Sequence, residues 1–425
     1  MNDRLQSAGG HCIKVRLVGP PNSAKAFEIR DFLSRSVVHY EWVELDEAAA
    51  RQLPGISGLS DPRLPYCDFP DGTRLYNANV HDIADRLGWV TKPKLGEYDV
   101  SIYGAGPAGL SAAVYAASEG LKTVLVERHA VGGQAGSSSL IENYMGFPQG
   151  ISGSDLAERA RQQAVKFGAE ILQLREGIKG AFVDGKVVVD LADGGQLIAR
   201  TNICTTGISW RRLGLQNEDR FFGAGLYYGA GASEAPMCSG EIVYVVGGGN
   251  SAGQAAMHLS QFASKVVMLV RGDRLADTLS SYLLDKIEAS SNVRVVVHCE
   301  VTGLAGADRF MQEITVRNRQ DGTEEQLPTR HLFVCIGGSP HTEWASETDV
   351  IRDSAGYLVT GQDLFVRGNP PEVWPLARPP FHLETSVPGS FAAGDVRHGS
   401  IKRVASAVGE GAMAVAFVHQ HLSKI

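Results

Sequence analysis

The chain has 425 residues, which is enough for two or three domains that each bury a core. Its formal net charge of -7 gives no basic surface for nucleic acid or anionic lipid, and no apolar run approaches the roughly 18 residues of a membrane span. Because no signal peptide is recognisable either, we expect a soluble cytoplasmic protein. Its six cysteines are scattered without short pairings, which favours neither a secreted disulfide framework nor a metal site.

The first 95 residues predict a separate α/β module. The pattern indicates a strand over 12–17, a helix over 23–34, a strand over 41–45, a hairpin entered at Pro65 and a closing helix over 79–87. This order resembles a thioredoxin or glutaredoxin fold, with Pro65 as the candidate cis-proline. The turn that carries the redox cysteines in such folds, residues 19–23 here, contains none. Cys67 is the nearest thiol, and is either a small core residue or a reactive group.

A dinucleotide site is predicted directly after the linker over 91–98. An apolar strand over 100–103 leads into a glycine motif that opens a helix, and the next strand ends in Glu127, 18 residues after Gly109. Such glycines allow a tight turn, close approach of the pyrophosphate and close helix packing, and an acid at about this distance accepts from ribose hydroxyls. The motif residues are Gly104, Gly106, Pro107, Ala108 and Gly109.

A second dinucleotide site follows the apolar strand over 242–246. The strand over 265–270 ends in Arg271 rather than an acid. An arginine pairs with a 2′-phosphate, so NADPH is favoured and NADH remains possible. The motif residues are Gly247, Gly249, Asn250, Ser251 and Ala252.

The same stretch, residues 249–253, satisfies the G-x-S-x-G pattern of hydrolase nucleophiles. That chemistry also needs an acid and a histidine. The sequence marks no arrangement of the available ones, and hydrolysis would leave the first glycine motif unexplained. The downstream candidates are Asp277, Asp285, Asp308, His341 and His398.

From residue 98 to the end, the chain resembles the thioredoxin-reductase-like flavoproteins of the pyridine nucleotide-disulfide oxidoreductase superfamily. The resemblance rests on phrases such as GGQAGSSSLIENYMGFP, YVVGGGNSAGQAAMHL and SFAAGDVRHGSIKRVASAVGEGAMA. It implies FAD at the first site, with Asp395 on the ribityl chain, and a homodimer. The further residues that it assigns to FAD are Gly133, Gln134, Asn143, Gly394, Arg403 and Val404.

The predicted fold is α/β, with two Rossmann-like three-layer nucleotide-binding domains preceded by the small thioredoxin-like domain. A motif so late in the sequence as Gly394-Asp395 makes the FAD domain discontinuous. We expect the thioredoxin-like domain over 1–95, the FAD domain over 96–212 and 334–425, and the NAD(P)H domain over 213–333. Residues 367–380 form an insertion that is a surface loop, a lid or an interface.

The redox disulfide of this family has no counterpart in the sequence. Counted back from Gly247, its two cysteines fall on Ala230 and Ser233, or on Gly229 and Ala232 with a gap of one residue. The acid that follows falls on Glu234.

Two residues beside this position are candidates for catalysis. Glu234 is a candidate for proton transfer or a simple terminal charge, and Cys238 is a candidate thiol or a free cysteine without function.

Three hypotheses follow from these observations. In the first, electrons pass from NADPH through FAD to a small molecule or a redox protein without an internal disulfide. The second is disulfide reduction through Cys67, Cys238 or the thiols of a partner. In the third, the chain is a redox-sensing interaction module whose flavin state is recognised through the N-terminal domain.

Overall fold

A computed structural model describes residues 15–21, 23–229, 234–307 and 310–424. Within these ranges the strands form sheets of four, seven, two, five and three strands. None of the helices found there is long and apolar enough to cross a membrane.

The four-stranded sheet and its helices form the N-terminal module, residues 15–90. The first two strands are parallel, the third is antiparallel to the first, and the strand order is β2-β1-β3-β4. Ser23 caps the first helix by accepting a hydrogen bond from the amide of Ala26, and the Leu64–Pro65 peptide is cis, as expected. The second, short helix was not predicted. The elements are β1 (Val15–Gly19), α1 (Ala24–Arg35), β2 (Tyr40–Glu44), α2 (Glu47–Gln52), β3 (Tyr66–Asp68), β4 (Arg74–Leu75) and α3 (Val80–Arg86).

The seven-stranded sheet forms the core of the central domain. Its order is β7-β6-β5-β10-β9-β8, and the late strand β21 pairs in parallel with β10, so the end of the chain completes this domain. The last helix crosses the first helix of the domain closely, because an added Cβ on Gly411 would lie 2.1 Å from the carbonyl oxygen of Ala108. The elements are β5 (Tyr98–Tyr103), α4 (Pro107–Ser118), β6 (Thr123–Glu127), α5 (Gly153–Lys166), β7 (Glu170–Gln173), β8 (Gly177–Val183), β9 (Lys186–Leu191), β10 (Gln196–Cys204), β21 (Ser390–Ala392) and α9 (Val404–Leu422).

The inserted domain is built on a five-stranded parallel sheet of order β12-β19-β13-β14-β15, with a three-stranded antiparallel sheet beside it. Parallel strands buried by helices on their faces account for the apolar runs seen in the sequence. The elements are α6 (Glu218–Phe221), β12 (Leu226–Tyr228), β13 (Ile242–Val246), α7 (Asn250–Leu259), β14 (Lys265–Leu269), α8 (Ser281–Glu288), β15 (Val293–Val296), β16 (Cys299–Ala305), β17 (Glu313–Asn318), β18 (Glu324–Pro328) and β19 (Leu332–Val334).

The chain passes between the central and inserted domains through two short antiparallel strands. These are β11 (Ile208–Trp210), which leaves the central domain, and β20 (Gly338–Pro340), which returns to it. Short 3-10 helices complete the structure, at Gly133–Ser137, Ala235–Cys238, Leu275–Asp277, Glu343–Glu347 and Gly361–Leu364.

The insertion over 367–380 is anchored to the central domain. The indole nitrogen of Trp374 donates to the carbonyl oxygen of Arg378, and both terminal nitrogens of Arg378 donate to the carboxylate of Glu384, at 2.6 and 2.9 Å. Glu384 is fully buried, so the ion pair holds the base of the loop in place. Among the three alternatives for this segment, these contacts favour a fixed surface loop over a lid.

Candidate functional site: two glycine loops at helix N-termini

The first glycine loop lies between β5 and α4 and requires two of its glycines for steric reasons. Gly104 has φ +104°, and a Cβ there would lie 2.5 Å from the carbonyl oxygen of Thr205. A Cβ on Gly109 would lie 1.9 Å from the carbonyl oxygen of Gly104. Only glycine fits at these two positions, because any side chain would collide with the backbone. The two glycines therefore allow the loop to pack closely against the end of β10.

The middle glycine of this motif faces open space instead. Among the described residues, the only atom within 4 Å of an added Cβ on Gly106 is the Cα of Gly133, at 3.9 Å. Gly106 is also the N-cap of α4 and supplies no side-chain cap, while Pro107 occupies the first helical position. The free amides of the first turn and the helix dipole favour an anion here. The loop therefore fits a pyrophosphate group.

Glu127 ends β6 beside this loop and is buried. One of its carboxylate oxygens accepts from the amide of Ala105 at 2.7 Å, and the other accepts from the amide of His129 at 2.8 Å. Each oxygen retains a lone pair for a ribose hydroxyl. The acid thus positions the glycine loop in addition to any contact with a ligand.

The structure brings Gly394 against the start of α4. A Cβ on Gly394 would lie 3.0 Å from the Cβ of Ala108, and its amide donates to the carboxylate of Glu410 at 2.7 Å. Its neighbour Asp395 is half-buried, and burial raises the pKa of its carboxyl group, against the opposing effect of Lys402. No hydrogen bond to this carboxyl group is seen among the described residues. The hydroxyl groups of a chain such as ribityl fit as hydrogen-bond partners for this carboxyl group.

Five residues assigned by resemblance remain. Gly133 lies beside Gly106 in the first loop, and the other four occupy different settings. Gln134 donates from its side-chain amide to the carbonyl oxygen of Ile208 at 2.7 Å, so it contacts the interdomain strand β11. Asn143 is exposed on a loop. Arg403 is exposed at the N-cap of α9, and Val404 is the first residue of that helix.

The second glycine loop, between β13 and α7, repeats the geometry of the first. Gly247 has φ +136°, and a Cβ there would lie 2.3 Å from the carbonyl oxygen of Cys335. In the described part of the chain, no atom lies within 4 Å of an added Cβ on Gly249, which is the N-cap of α7 without a side-chain cap. A second diphosphate therefore fits at this helix N-terminus.

The remaining residues of the second motif differ in their contacts within the protein. The side-chain oxygen of Asn250 accepts from the amide of Ser280 at 2.8 Å, and Ala252 is buried. Ser251 is exposed, and in the described part of the chain no histidine is hydrogen-bonded to its hydroxyl. The hydrolase alternative therefore gains no support from the structure.

Arg271 is exposed just beyond β14, as a 2′-phosphate contact requires. The structure adds a second cation beside it, because Arg319 donates from its guanidinium to the carbonyl oxygen of Arg271 at 3.2 Å. Arg319 lies 48 residues away and follows no motif, so it could not be predicted from sequence.

The four positions just before Glu234, including Ala230, Ala232 and Ser233, lie outside the described residues. Glu234 itself is only 3% exposed and precedes the 3-10 helix Ala235–Cys238. It lies within electrostatic reach of Tyr40 and Tyr227, one from the N-terminal module and one from β12.

Both candidate thiols are buried. Burial raises the pKa of Cys238 to about 12, and its thiol donates to the carbonyl oxygen of Glu234 at 3.5 Å. Burial also raises the pKa of Cys67 to about 12. A thiolate is the reactive form, so neither environment favours disulfide exchange.

Comparison with known proteins relates the chain to one group of enzymes. Residues 98–411 match the family described as pyridine nucleotide-disulphide oxidoreductase. The thioredoxin reductase of Listeria innocua is 33% identical over 75% of this chain and 91% of its own length. NADPH-dependent thioredoxin reductase 3 of Arabidopsis thaliana is 33% identical over 76% of this chain, which spans 58% of that protein.

Among solved structures, that of Lactococcus lactis thioredoxin reductase superposes with a TM-score of 0.68 and 26% identity. The superposition covers 77% of this chain and 100% of the other. The expected pair of Rossmann-like domains is thereby confirmed. The chain belongs to the pyridine nucleotide-disulphide oxidoreductase family.

Proposed function

We propose that the protein is an FAD-dependent NAD(P)H oxidoreductase that passes electrons from NADPH to an acceptor without an internal disulfide. The observation that carries the proposal is the pair of glycine loops in adjacent domains. In each loop the first glycine is sterically required, and the middle one leaves room at an uncapped helix N-terminus. One chain therefore has the geometry for two dinucleotides.

The central domain is the proposed FAD site. Gly106 and the first turn of α4 would hold the pyrophosphate, Glu127 the ribose and Asp395 the ribityl chain. FAD, when bound, supplies hydride acceptance from a reduced nicotinamide and electron transfer to a further acceptor. The protein's contribution is to orient the two dinucleotides and to exclude water from the reacting atoms.

The inserted domain is the proposed NADPH site. Gly249 and the first turn of α7 would hold the diphosphate, while Arg271, with Arg319 beside it, would pair with the 2′-phosphate. The guanidinium of Arg319 lies against the backbone carbonyl of Arg271 and also pairs with Glu300 at 3.6 Å, so Arg271 is the principal proposed contact.

The electron acceptor is proposed to be a small molecule or a redox protein that reacts with the flavin directly. The sequence has no cysteine between Cys204 and Cys238, so the position of the family's redox pair is without a thiol. The alternative, disulfide reduction through Cys67 or Cys238, is opposed by the burial of both. Whether Glu234 transfers a proton stays a prediction.

Several finer assignments belong to the same proposal. We assign the N-terminal module to a thioredoxin-like fold that has lost its redox function, with the domain boundaries given above. The cis-proline supports this assignment, because Gly19, at the end of β1, lies directly against Pro65. A homodimer in the cytoplasm is expected from the resemblance.

An acceptor screen on purified, flavin-loaded protein tests the proposal. NADPH oxidation with dioxygen or quinones, retained in a Cys67→Ser/Cys238→Ser variant, is the expected result. Turnover confined to thioredoxin or another disulfide, and lost in that variant, would establish the second hypothesis instead. Negligible turnover with every acceptor would favour the redox-sensing module.

A further inference from the structure

Helix α1 of the N-terminal module packs directly into the inserted domain. The ring of Phe27 contacts those of Phe222 and Tyr227, with centroids 5.8 and 5.4 Å apart. Phe27 packs against the buried cluster that fills the inserted domain and is absent from the module's own core cluster. One turn earlier, the Cα of Ala24 would lie 3.1 Å from a Cβ on Gly223. The N-terminal half of α1 is therefore seated in the inserted domain.

The other end of α1 is attached to the central domain. The guanidinium of Arg35 donates to the carbonyl oxygens of Ala130 and Gly133, at 3.1 and 2.8 Å. Ala130 belongs to the module's core cluster, and Leu174, also from the central domain, packs against it. The module thus packs apolar side chains against both domains. It is also hydrogen-bonded to the central domain.

Between these two attachments, the junction contains buried charge of both signs. Arg30 is 2% exposed, lies 5.0 Å from the centroid of the Trp42 ring and donates to the sulfur of Met237. Glu234 is 3% exposed and lies on the side of the inserted domain. Burial raises the pKa of Tyr40 and of Tyr227, and in both cases the charge of Arg30 lowers the pKa while that of Glu234 raises it.

Both charges therefore act on the same two tyrosine rings. Tyr40 belongs to the module and Tyr227 to the inserted domain. Arg30 and Glu234 are therefore both buried where the module meets the inserted domain, at 2 and 3% exposure, so water is excluded from this junction.

The remaining links between the central and inserted domains are slight. The chain joins them only through the three-residue strands β11 and β20 within the described ranges. Glu142 adds an exposed contact, accepting from the hydroxyl of Tyr282 at 2.5 Å and from the amine of Lys286 at 3.1 Å. A two-stranded connection of this kind does not by itself fix the relative orientation of two domains.

We propose that α1 is an intramolecular clamp that holds the central and inserted domains in one relative orientation. The helix contacts both domains at once, the inserted domain through Phe27 and the central domain through Arg35. The proposal does not depend on which acceptor the enzyme uses. The orientation is set by contacts that would persist whether or not a dinucleotide is bound.

Distance measurement between two spin labels tests the clamp without any turnover. Labels at Gln163→Cys on α5 and Gln261→Cys in the inserted domain lie on exposed positions, and a Cys12→Ser background leaves only buried native thiols. The clamp variant is Phe27→Ala/Arg35→Ala. The matched control is Leu75→Ala/Arg51→Ala, since Leu75 packs in the module's own core and Arg51 pairs with Glu47 one turn away.

A single narrow distance distribution is expected for the parent protein and for the control, with and without NADPH. The clamp variant should show a second distance in roughly one molecule in ten or more. An unchanged distribution in a folded clamp variant, judged by circular dichroism, would overturn the proposal. Two populations in the parent protein would also overturn it, and that outcome requires no variant to fold.

Discussion

The carboxylate of Glu127 accepts a hydrogen bond from the amide of Ala105 at 2.7 Å, so the end of β6 fixes the backbone of the glycine loop that follows β5. A second amide, that of His129, donates to the other oxygen of the same group. The acid thus shapes the loop without any ligand, and in the proposed FAD site it would also accept from a ribose hydroxyl. Its substitution should affect flavin binding through both.

A Glu127→Gln variant should bind FAD roughly tenfold to a hundredfold more weakly. Hydrogen bonds to a charged group contribute about 1.5–3 kcal/mol each, and the neutral amide can accept on one atom only. Flavin release, followed by fluorescence during dilution, measures the loss. Glu176→Gln is the control, because the side chain of Glu176 is 45% exposed and pairs with Arg128 at 3.6 Å. Equal flavin affinity in the two variants would contradict the assignment.

A Gly249→Ala variant should fold normally and lose affinity for NADPH. No atom of the residues that the structure describes lies within 4 Å of the new methyl group, so we expect the effect to come from the ligand that it meets. We expect the KM for NADPH to rise by about tenfold or more, with flavin content and Tm unchanged. Gly272→Ala, equally open but away from the helix N-terminus, should leave the KM as it is.

Arg271→Ala should weaken NADPH and spare NADH. The lost interaction is a charge-assisted contact with the 2′-phosphate, which NADH lacks, so we expect a rise of about tenfold in the KM for NADPH alone. Steady-state kinetics with both nucleotides measures the difference. Arg274 is already paired with Asp277 at 2.8 Å, and an Arg274→Ala variant serves as the control. Equal losses for NADPH and NADH in Arg271→Ala would refute the role.

The native protein should resist thiol alkylation at pH 8. With pKa values of about 12, Cys67 and Cys238 are roughly one part in ten thousand thiolate at that pH, and both are buried. Mass spectrometry after iodoacetamide treatment should find these two sites modified only once the protein is denatured. Rapid labelling of Cys238 in the folded protein would restore it as a candidate redox group.

Stability should fall between pH 6.5 and 4 because of His331. Burial lowers the pKa of this imidazole to about 4, so the unfolded chain takes up a proton at a pH where the folded protein does not. The free energy of unfolding therefore rises with pH across this window, by about 3 kcal/mol in all. Denaturant titrations at pH 7, 5.5 and 4.5 measure it. His331→Phe, which can keep the stacking on Tyr227, should flatten the dependence, whereas the exposed His39→Phe should not.

Both glycine loops could be predicted from the sequence because their requirements are local. A glycine at φ +104° or +136° is needed wherever the backbone turns that tightly, and its neighbours in the chain form the strand and helix around it. The same holds for Glu127, which ends the next strand in order. The short helix α2 was missed because six residues carry too little periodicity to predict a helix.

The partners contributed by distant segments could not be predicted. Thr205, Arg319 and Glu410 each meet their glycine loop or arginine only through the fold. The contacts of the proposed clamp could not be predicted from the sequence either. Phe27 and Arg35 look like ordinary positions on an amphipathic helix, and nothing in their spacing reveals that they face two different domains.

The late strand β21 has a consequence for how the protein is made. During synthesis the inserted domain emerges complete, while the central sheet still lacks the neighbour of β10 and the helix that packs on α4. The amide of Gly394 reaches Glu410 only after both have left the ribosome. Domains generally fold as units during synthesis, so the proposed NADPH domain forms before the central domain. The proposed flavin site is then the last part of the molecule to close, which makes flavin capture a late event in assembly.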